Sequence, residues 1–176
     1  EGTFVDVRPY KENKKGTETD EASDTYDAID WLVKNIPHNN GKVGIFGISY
    51  PGFYSTAAAL SNHPSLVAVS PQAPVTDWFM GDDFHHNGAF FMMDGFAFYS
   101  VFGKPRSKPT TNYGPGFEFP TKDAYKFYLE AGSTKKLAEM MGDSIAFFQE
   151  LFKHSNLDDW WKARNIRNFV QHIPPH

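Results

Sequence analysis

Gly47-Ile48-Ser49-Tyr50-Pro51-Gly52 stands where an apolar run, Lys42-Val43-Gly44-Ile45-Phe46, gives way to the small-residue run Ser55-Thr56-Ala57-Ala58-Ala59-Leu60. A serine flanked by glycines between a strand and a helix reads as a nucleophile elbow. The turn holds the serine at a strained backbone angle, and the nearby glycines let strand and helix approach closely. The Ser49 hydroxyl then stands at the C-terminal edge of a sheet, with the Tyr50 backbone N–H and the helix N-terminus aimed at a developing oxyanion. The general pattern G-x-S-x-G wants glycine at position 51, where this chain has Pro51 and brings its second glycine at 52. The competing explanation is a plain turn in which Ser49 caps the following helix.

Working outward, residues 3–7 read as a short strand and residues 8–21 as a charged surface loop without periodicity. A helix opens near Ser23 and ends at Pro37, with Tyr26, Ile29, Trp31, Leu32, Val33 and Ile36 as its apolar side. Asn39-Asn40-Gly41 is a turn, residues 42–46 a strand, residues 50–62 a helix and residues 66–70 a second buried strand. This β/α alternation implies an α/β fold with a parallel sheet. Beyond residue 79 the rhythm stops. Residues 79–102 are dense in Phe, Met and Gly, and residues 104–120 carry prolines and glycines without a period. Residues 122–141, 143–154 and 157–164 read as three helices, and residues 168–173 as a return towards the sheet.

In the form G-x-S-Y-x-G, residues 47–52 resemble the elbow of the α/β-hydrolase family that holds cocaine esterase, the alpha-amino acid ester hydrolases, glutaryl-cephalosporin acylase and the X-prolyl dipeptidyl peptidases. Pro51 is regular there, because the family's glycine sits one place later. Glu1-Gly2-Thr3-Phe4 looks like the end of the family's R-G-x-x-x-S-E-G-x-F segment. Asp24 to Leu32 is similar to its D-x-x-D-x-I-x-W-L helix, and the stretch from Pro71 through Asp77-Trp78 to Gly81-Asp82-Asp83-Phe84-His85-His86-Asn87-Gly88-Ala89-Phe90 is similar to its strand exit and G-D-D-x-x-x-N-G-A-F segment. The resemblance implies a partial α/β-hydrolase parallel sheet with an inserted α-helical cap: core over 1–78, cap over 79–166, and return to the core over 167–176. It implies a serine acyl hydrolase acting on small ester or amide substrates without a cofactor. An X-prolyl dipeptidyl peptidase, or a catalytically inactive binding module, is the alternative.

Composition narrows the field further. The 176 residues are enough for a sizeable core, and 40% hydrophobic with 16% aromatic residues, 17 of them Phe, describe a folding chain. A formal charge of −4 offers no basic field for nucleic acid. With no cysteine there is neither a disulfide scaffold nor thiolate chemistry, and such a chain suits cytosol and periplasm alike. No run approaches the roughly 18 apolar residues of a spanning helix, so no membrane partner is expected. Uncovered sheet edges would favour a homo-oligomer.

A serine nucleophile needs a base and the base an orienting carboxylate, in this fold in the order Ser, Asp or Glu, His. In the family the acid and the base lie on segments beyond the cap, and the second oxyanion donor is a tyrosine expected before Glu1, so all three are expected outside these residues. Within them, His172 and His176 are the only histidines that follow a candidate orienting acid, Asp158 or Asp159. His85-His86 beside Asp82-Asp83 are metal-type ligands, but no H-x-x-x-H or H-E-x-x-H spacing appears and no metal is expected. His38, His63 and His154 read as surface or capping residues. Asp83 resembles a carboxylate that in alpha-amino acid ester hydrolases helps to bind the substrate's ammonium group. With Asp82, Trp78 and Phe79 it makes up the expected substrate-binding set, and Ser49 and the Tyr50 N–H the catalytic one.

Overall fold

In the computed structural model of the protein, which describes residues 7–80, 84–106, 108–112 and 114–173, the apolar run before Ser49 is a strand, β1 (Val43–Ile48). It lies parallel to β2 (Leu66–Gln72), with Ile45 opposite Val69 and Ile48 opposite Gln72. Two parallel strands need a crossover, and α2 (Tyr50–Ala59) supplies it. This helix packs on both strands and on α1 (Glu21–Asn35). It is buried nearly all round, and its second half is the small-residue run Ser55-Thr56-Ala57-Ala58-Ala59. Its Ser55 and Thr56 side chains bond back into the helix, Ser55 Oγ donating to the Pro51 carbonyl at 2.9 Å and Thr56 Oγ1 to the Gly52 carbonyl at 3.1 Å.

These elements belong to the first of two units, made of Val7–Trp78 and the chain from Trp161 on; the second is Phe79–Trp160. Residues 161–166, read from the sequence as the end of the cap, therefore group with the sheet.

Helix α1 begins two residues before Ser23 because Asp20 caps it. The Asp20 carboxylate accepts from the Ser23 N–H, and the Ser23 hydroxyl accepts from the Asp20 N–H, each at 2.9 Å. The loop before it is not all surface: Asp20 is 1% exposed, paired to Lys14, and buried Glu21 takes the Arg8 side chain. Of the apolar side expected on α1, only Ile29 is buried, while Trp31, Leu32 and Ile36 stay exposed. β2 is not a buried strand either. α2 covers one face of the sheet, and Gly44, Phe46 and Ile48, with Ala68, Ser70 and Gln72 opposite them, are exposed.

The return after Trp161 forms no strand among the described residues. It makes two 3₁₀ turns, Ile166–Asn168 and Val170–His172, the first capped by the Asn165 side chain on the Arg167 N–H. The segment docks through buried Ile166, whose N–H donates to the Thr76 carbonyl at 3.2 Å.

In the second unit the aromatic run folds into a two-residue hairpin, β3 (His85–His86) with β4 (Ala89–Phe90), and a helix, α3 (Met92–Tyr99), neither read from the sequence. Three more helices follow: α4 (Ala124–Ala131), α5 (Thr134–Met141) and α6 (Ala146–Lys153). The single helix expected over 122–141 is thus two. Gly132 adopts a left-handed φ of 71° that ends α4, and Ser133 caps α5. The last predicted helix shrinks to one turn, α7 (Asp159–Lys162). Phe96 is the hub of the core, with Phe117 at 4.9 Å, Phe127 at 5.8 Å and Phe148 at 6.1 Å between ring centroids. The abundance of Phe is explained by this packing of rings edge to face.

Candidate active site

Ser49 sits between β1 and α2 with φ 61° and ψ −119°, a backbone conformation that L-residues adopt only under constraint. The constraint comes from both sides. Its N–H donates to the Gln72 carbonyl on β2, and its carbonyl accepts the Phe53 N–H of α2, each at 3.0 Å. Its side chain is exposed and makes no capping hydrogen bond, so the plain N-cap explanation does not hold. Ser49 therefore stands exposed at the C-terminal edge of the sheet, at the start of a helix.

The glycines owe their places to contact. A Cβ on Gly47 would overlap the Pro51 carbonyl and lie 2.8 Å from Ser55 Oγ. A Cβ on Gly52 would lie 2.6 Å from the Gln72 carbonyl oxygen and 2.9 Å from the Pro74 Cα. Position 52, one turn into the helix, is where α2 crosses the exit from β2. That is the physical reason for the second glycine one place later than in G-x-S-x-G. Pro51 is tolerated because the first helical N–H groups have no intrahelical acceptor.

Tyr50, whose N–H is the expected oxyanion donor, has a buried ring that packs edge to face on Trp78 at 5.2 Å. Trp78 is 2% exposed and touches Phe53 at 5.2 Å as well, so its ring is engaged with α2 inside the first unit. Phe79, 5% exposed, stacks on His85 at 4.2 Å within the second unit. Asp82 and Asp83 lie outside the described residues.

No described histidine is hydrogen-bonded to Ser49. His172 pairs with Glu12 at 2.5 Å, and His154 pairs with Asp158 at 2.6 Å while stacking on Trp160. His63 accepts the Ser65 N–H and is buried against Tyr26, not a surface residue; His176 lies outside the described residues. His85 and His86 occupy a strand, where successive side chains point to opposite sides: His85 inward to Phe79, His86 outward beside Phe91. Among the described residues no group of three or more His, Asp or Glu is placed to hold a metal ion. A cavity of about 740 Å³ in the second unit, with His85, Phe90, Glu139 and Phe152 in its wall, includes none of the expected site residues that are described.

Sequence reading missed the segment that supports the elbow. Residues 72–78 supply the Gln72 acceptor, the Pro74 contact and the Trp78 ring to the first turns of α2. The sequence presents Asp77-Trp78 as part of a motif, but only the fold shows which side chains it meets.

The chain matches the family described as X-Pro dipeptidyl-peptidase (S15 family) over residues 8–174. Among solved structures it is similar to an aminopeptidase from a marine sediment archaeon, Thaumarchaeota archaeon, at 33% identity and TM-score 0.84, covering 100% of this chain and 28% of that one. It is equally similar to an alpha-amino acid ester hydrolase, at 35% identity and TM-score 0.84, covering 99% of this chain and 28% of that one. This chain therefore spans just over a quarter of either relative's length. No curated protein matches it.

Proposed function

The chain belongs to the X-Pro dipeptidyl-peptidase (S15) family of α/β-hydrolases, and from that premise we propose that the protein is a serine acyl hydrolase working through an acyl-enzyme on Ser49. The observation that carries the proposal is the strained, exposed Ser49, whose hydroxyl is not used as a cap. The Ser49 hydroxyl attacks the acyl carbonyl and gives its proton to a base. The carbonyl electrons move onto oxygen, and the Tyr50 N–H at the start of α2 donates to that oxyanion. Collapse of the intermediate expels the alcohol or amine with the proton, and water then releases the acid by the same route. In this reading the histidine base and its carboxylate come from chain beyond these residues.

The two solved relatives, an aminopeptidase and an alpha-amino acid ester hydrolase, are named for substrates whose acyl part carries an α-amino group. An alpha-amino acyl ester or amide is accordingly the substrate class proposed here, with Asp83 holding the ammonium. Replacing Asp83 by Asn in the full-length protein should lower kcat/KM for an alpha-amino ester more than for its deaminated analogue; an equal effect on both would remove that role. A peptidase of the X-prolyl type is the second reading, favoured by the family match. Turnover of an Xaa-Pro anilide against a plain ester separates the two.

Labelling with a fluorophosphonate, located by mass spectrometry, tests the nucleophile. The full-length protein should carry the adduct on Ser49 and lose it in Ser49→Ala. Residues 1–176 alone, shown to be folded by circular dichroism, should take up no label; an adduct there would mean that the base lies within them and would promote His172 or His176.

A further inference from the structure

Chemistry at Ser49 depends on how firmly the first turn of α2 is held, and residues 72–78 supply several of the contacts that hold it. Gln72 accepts the Ser49 N–H at 3.0 Å, and Pro74 lies under Gly52 where no Cβ fits. Between them Ala73 has φ 39°, a second strained non-glycine residue, next in the chain to the Gln72 that accepts the Ser49 N–H. Trp78 then closes over Tyr50 and Phe53. A strained segment stays in place only when something fixes its far end.

That fixing group is Asp77. It is 7% exposed, and its Oδ2 accepts from the Arg167 guanidinium and from Asn165 Nδ2 at 2.8 Å. One residue earlier, the Thr76 carbonyl accepts the Ile166 N–H at 3.2 Å. Asn165 is itself held by the 3₁₀ turn it caps, its Oδ1 accepting from Arg167 N and Nε at 3.1 and 3.2 Å. The residues on which the chain leaves the first unit are thus fastened to those on which it has just re-entered, about 90 positions later in sequence and within one unit.

We infer that Asp77, fastened by Arg167 and Asn165, is a positioning residue for the elbow: it fixes Trp78 against Tyr50 and thereby the direction of the Tyr50 N–H and the strained angle of Ser49. The inference rests on the serine hydrolase reading. It goes beyond it in assigning a rate-setting role to a carboxylate that never meets the substrate. Because the clamp orients the group that receives the oxyanion, its loss should fall on the chemical step. Substrate binding should be nearly unaffected.

The test compares wild type, Asp77→Asn, Arg167→Ala and Arg167→Lys in the full-length protein, all assayed well below their melting temperatures. The readouts are the fluorophosphonate labelling rate at Ser49, and kcat and KM for an ester. Displacement of a positioned group by a fraction of an ångström to 1 Å costs roughly ten- to a hundredfold. Asp77→Asn and Arg167→Ala should therefore label about tenfold more slowly or worse, with kcat down and KM little changed, and Arg167→Lys should recover much of the loss. Folded variants that label and turn over at the wild-type rate would overturn the inference, as would a loss confined to KM. Should Asp77→Asn fail to fold, Asn165→Ala removes one donor to Asp77 together with the cap that holds Arg167, and a wild-type labelling rate there would overturn it equally. A wild type that takes no label at Ser49 would be a different result: it would bring down the serine reading itself, and this inference with it.

Discussion

At the scale of single residues, the site is an exchange between one strained residue and two that have no side chain. Ser49 accepts an unfavourable φ of 61° because its N–H and carbonyl are both fixed to neighbours. The neighbours come near enough only because Gly47 and Gly52 leave room. At Gly52 the opposing atoms are backbone, which has no rotamer to move aside. Gly52→Ala is expected to cost about 1–3 kcal/mol, the usual range for overpacking. It should also slow labelling of Ser49 more than the loss of stability accounts for. Denaturant unfolding beside the labelling rate of the folded fraction checks both. The sequence announced Gly47-x-Ser49 plainly. Why the second glycine stands at 52 was not legible, since the reason lies in Gln72 and Pro74, twenty residues or more away.

At the scale of elements, end groups decide where helices start and stop. α1 is set by Asp20, whose pKa balances opposing influences. Burial would push the carboxyl up, but the Lys14 ammonium and the N–H groups of Ser23 and Lys11 outweigh it and hold it below the ordinary value near 3.8. With the folded-state pKa depressed, the unfolded chain binds the proton first. The stability that Asp20 contributes is then complete above the unfolded value and is lost as pH falls through the folded one. Asp20→Asn still caps the helix but has no charge to lose. Its deficit against wild type should be largest near neutrality and should shrink between about pH 5 and 3 in urea titrations, as the wild-type carboxyl is protonated. A deficit that stays constant over that range would show that the ion pair adds nothing. The break between α4 and α5 follows the same rule. Ala131-Gly132-Ser133 contains both a stop and a start, and reading residues 122–141 as one helix passed over them.

At the scale of the whole molecule, the first unit leaves apolar surface uncovered. Phe46 is 76% exposed and Ile48 58%, side by side on the sheet face that α2 does not cover. Among the described residues β1 and β2 pair only with each other, so each also presents an open edge. Exposed apolar strands next to open edges associate. Residues 1–176 in isolation are expected to self-associate, and Phe46→Lys with Ile48→Lys should shift them towards monomer without loss of helical signal. Light scattering across a dilution series decides this, and a wild-type segment that stays monomeric throughout would count against a homo-oligomer.

What the sequence by itself determined is local or periodic. It carried the elbow from its glycines, the parallel crossover from its β/α order, and the family from motifs that lie within a few residues of one another. Tertiary structure alone decided what depends on residues far apart in the chain. It showed that Trp78 supports Tyr50, that Asp77 answers Arg167 across about 90 positions, and that most of the expected core of α1 and β2 remains at the surface. The physical reason is that hydrogen-bond caps, strain and periodicity act over one or two turns. Burial and long-range ion pairing depend on which surfaces meet, and only the folded chain brings them together.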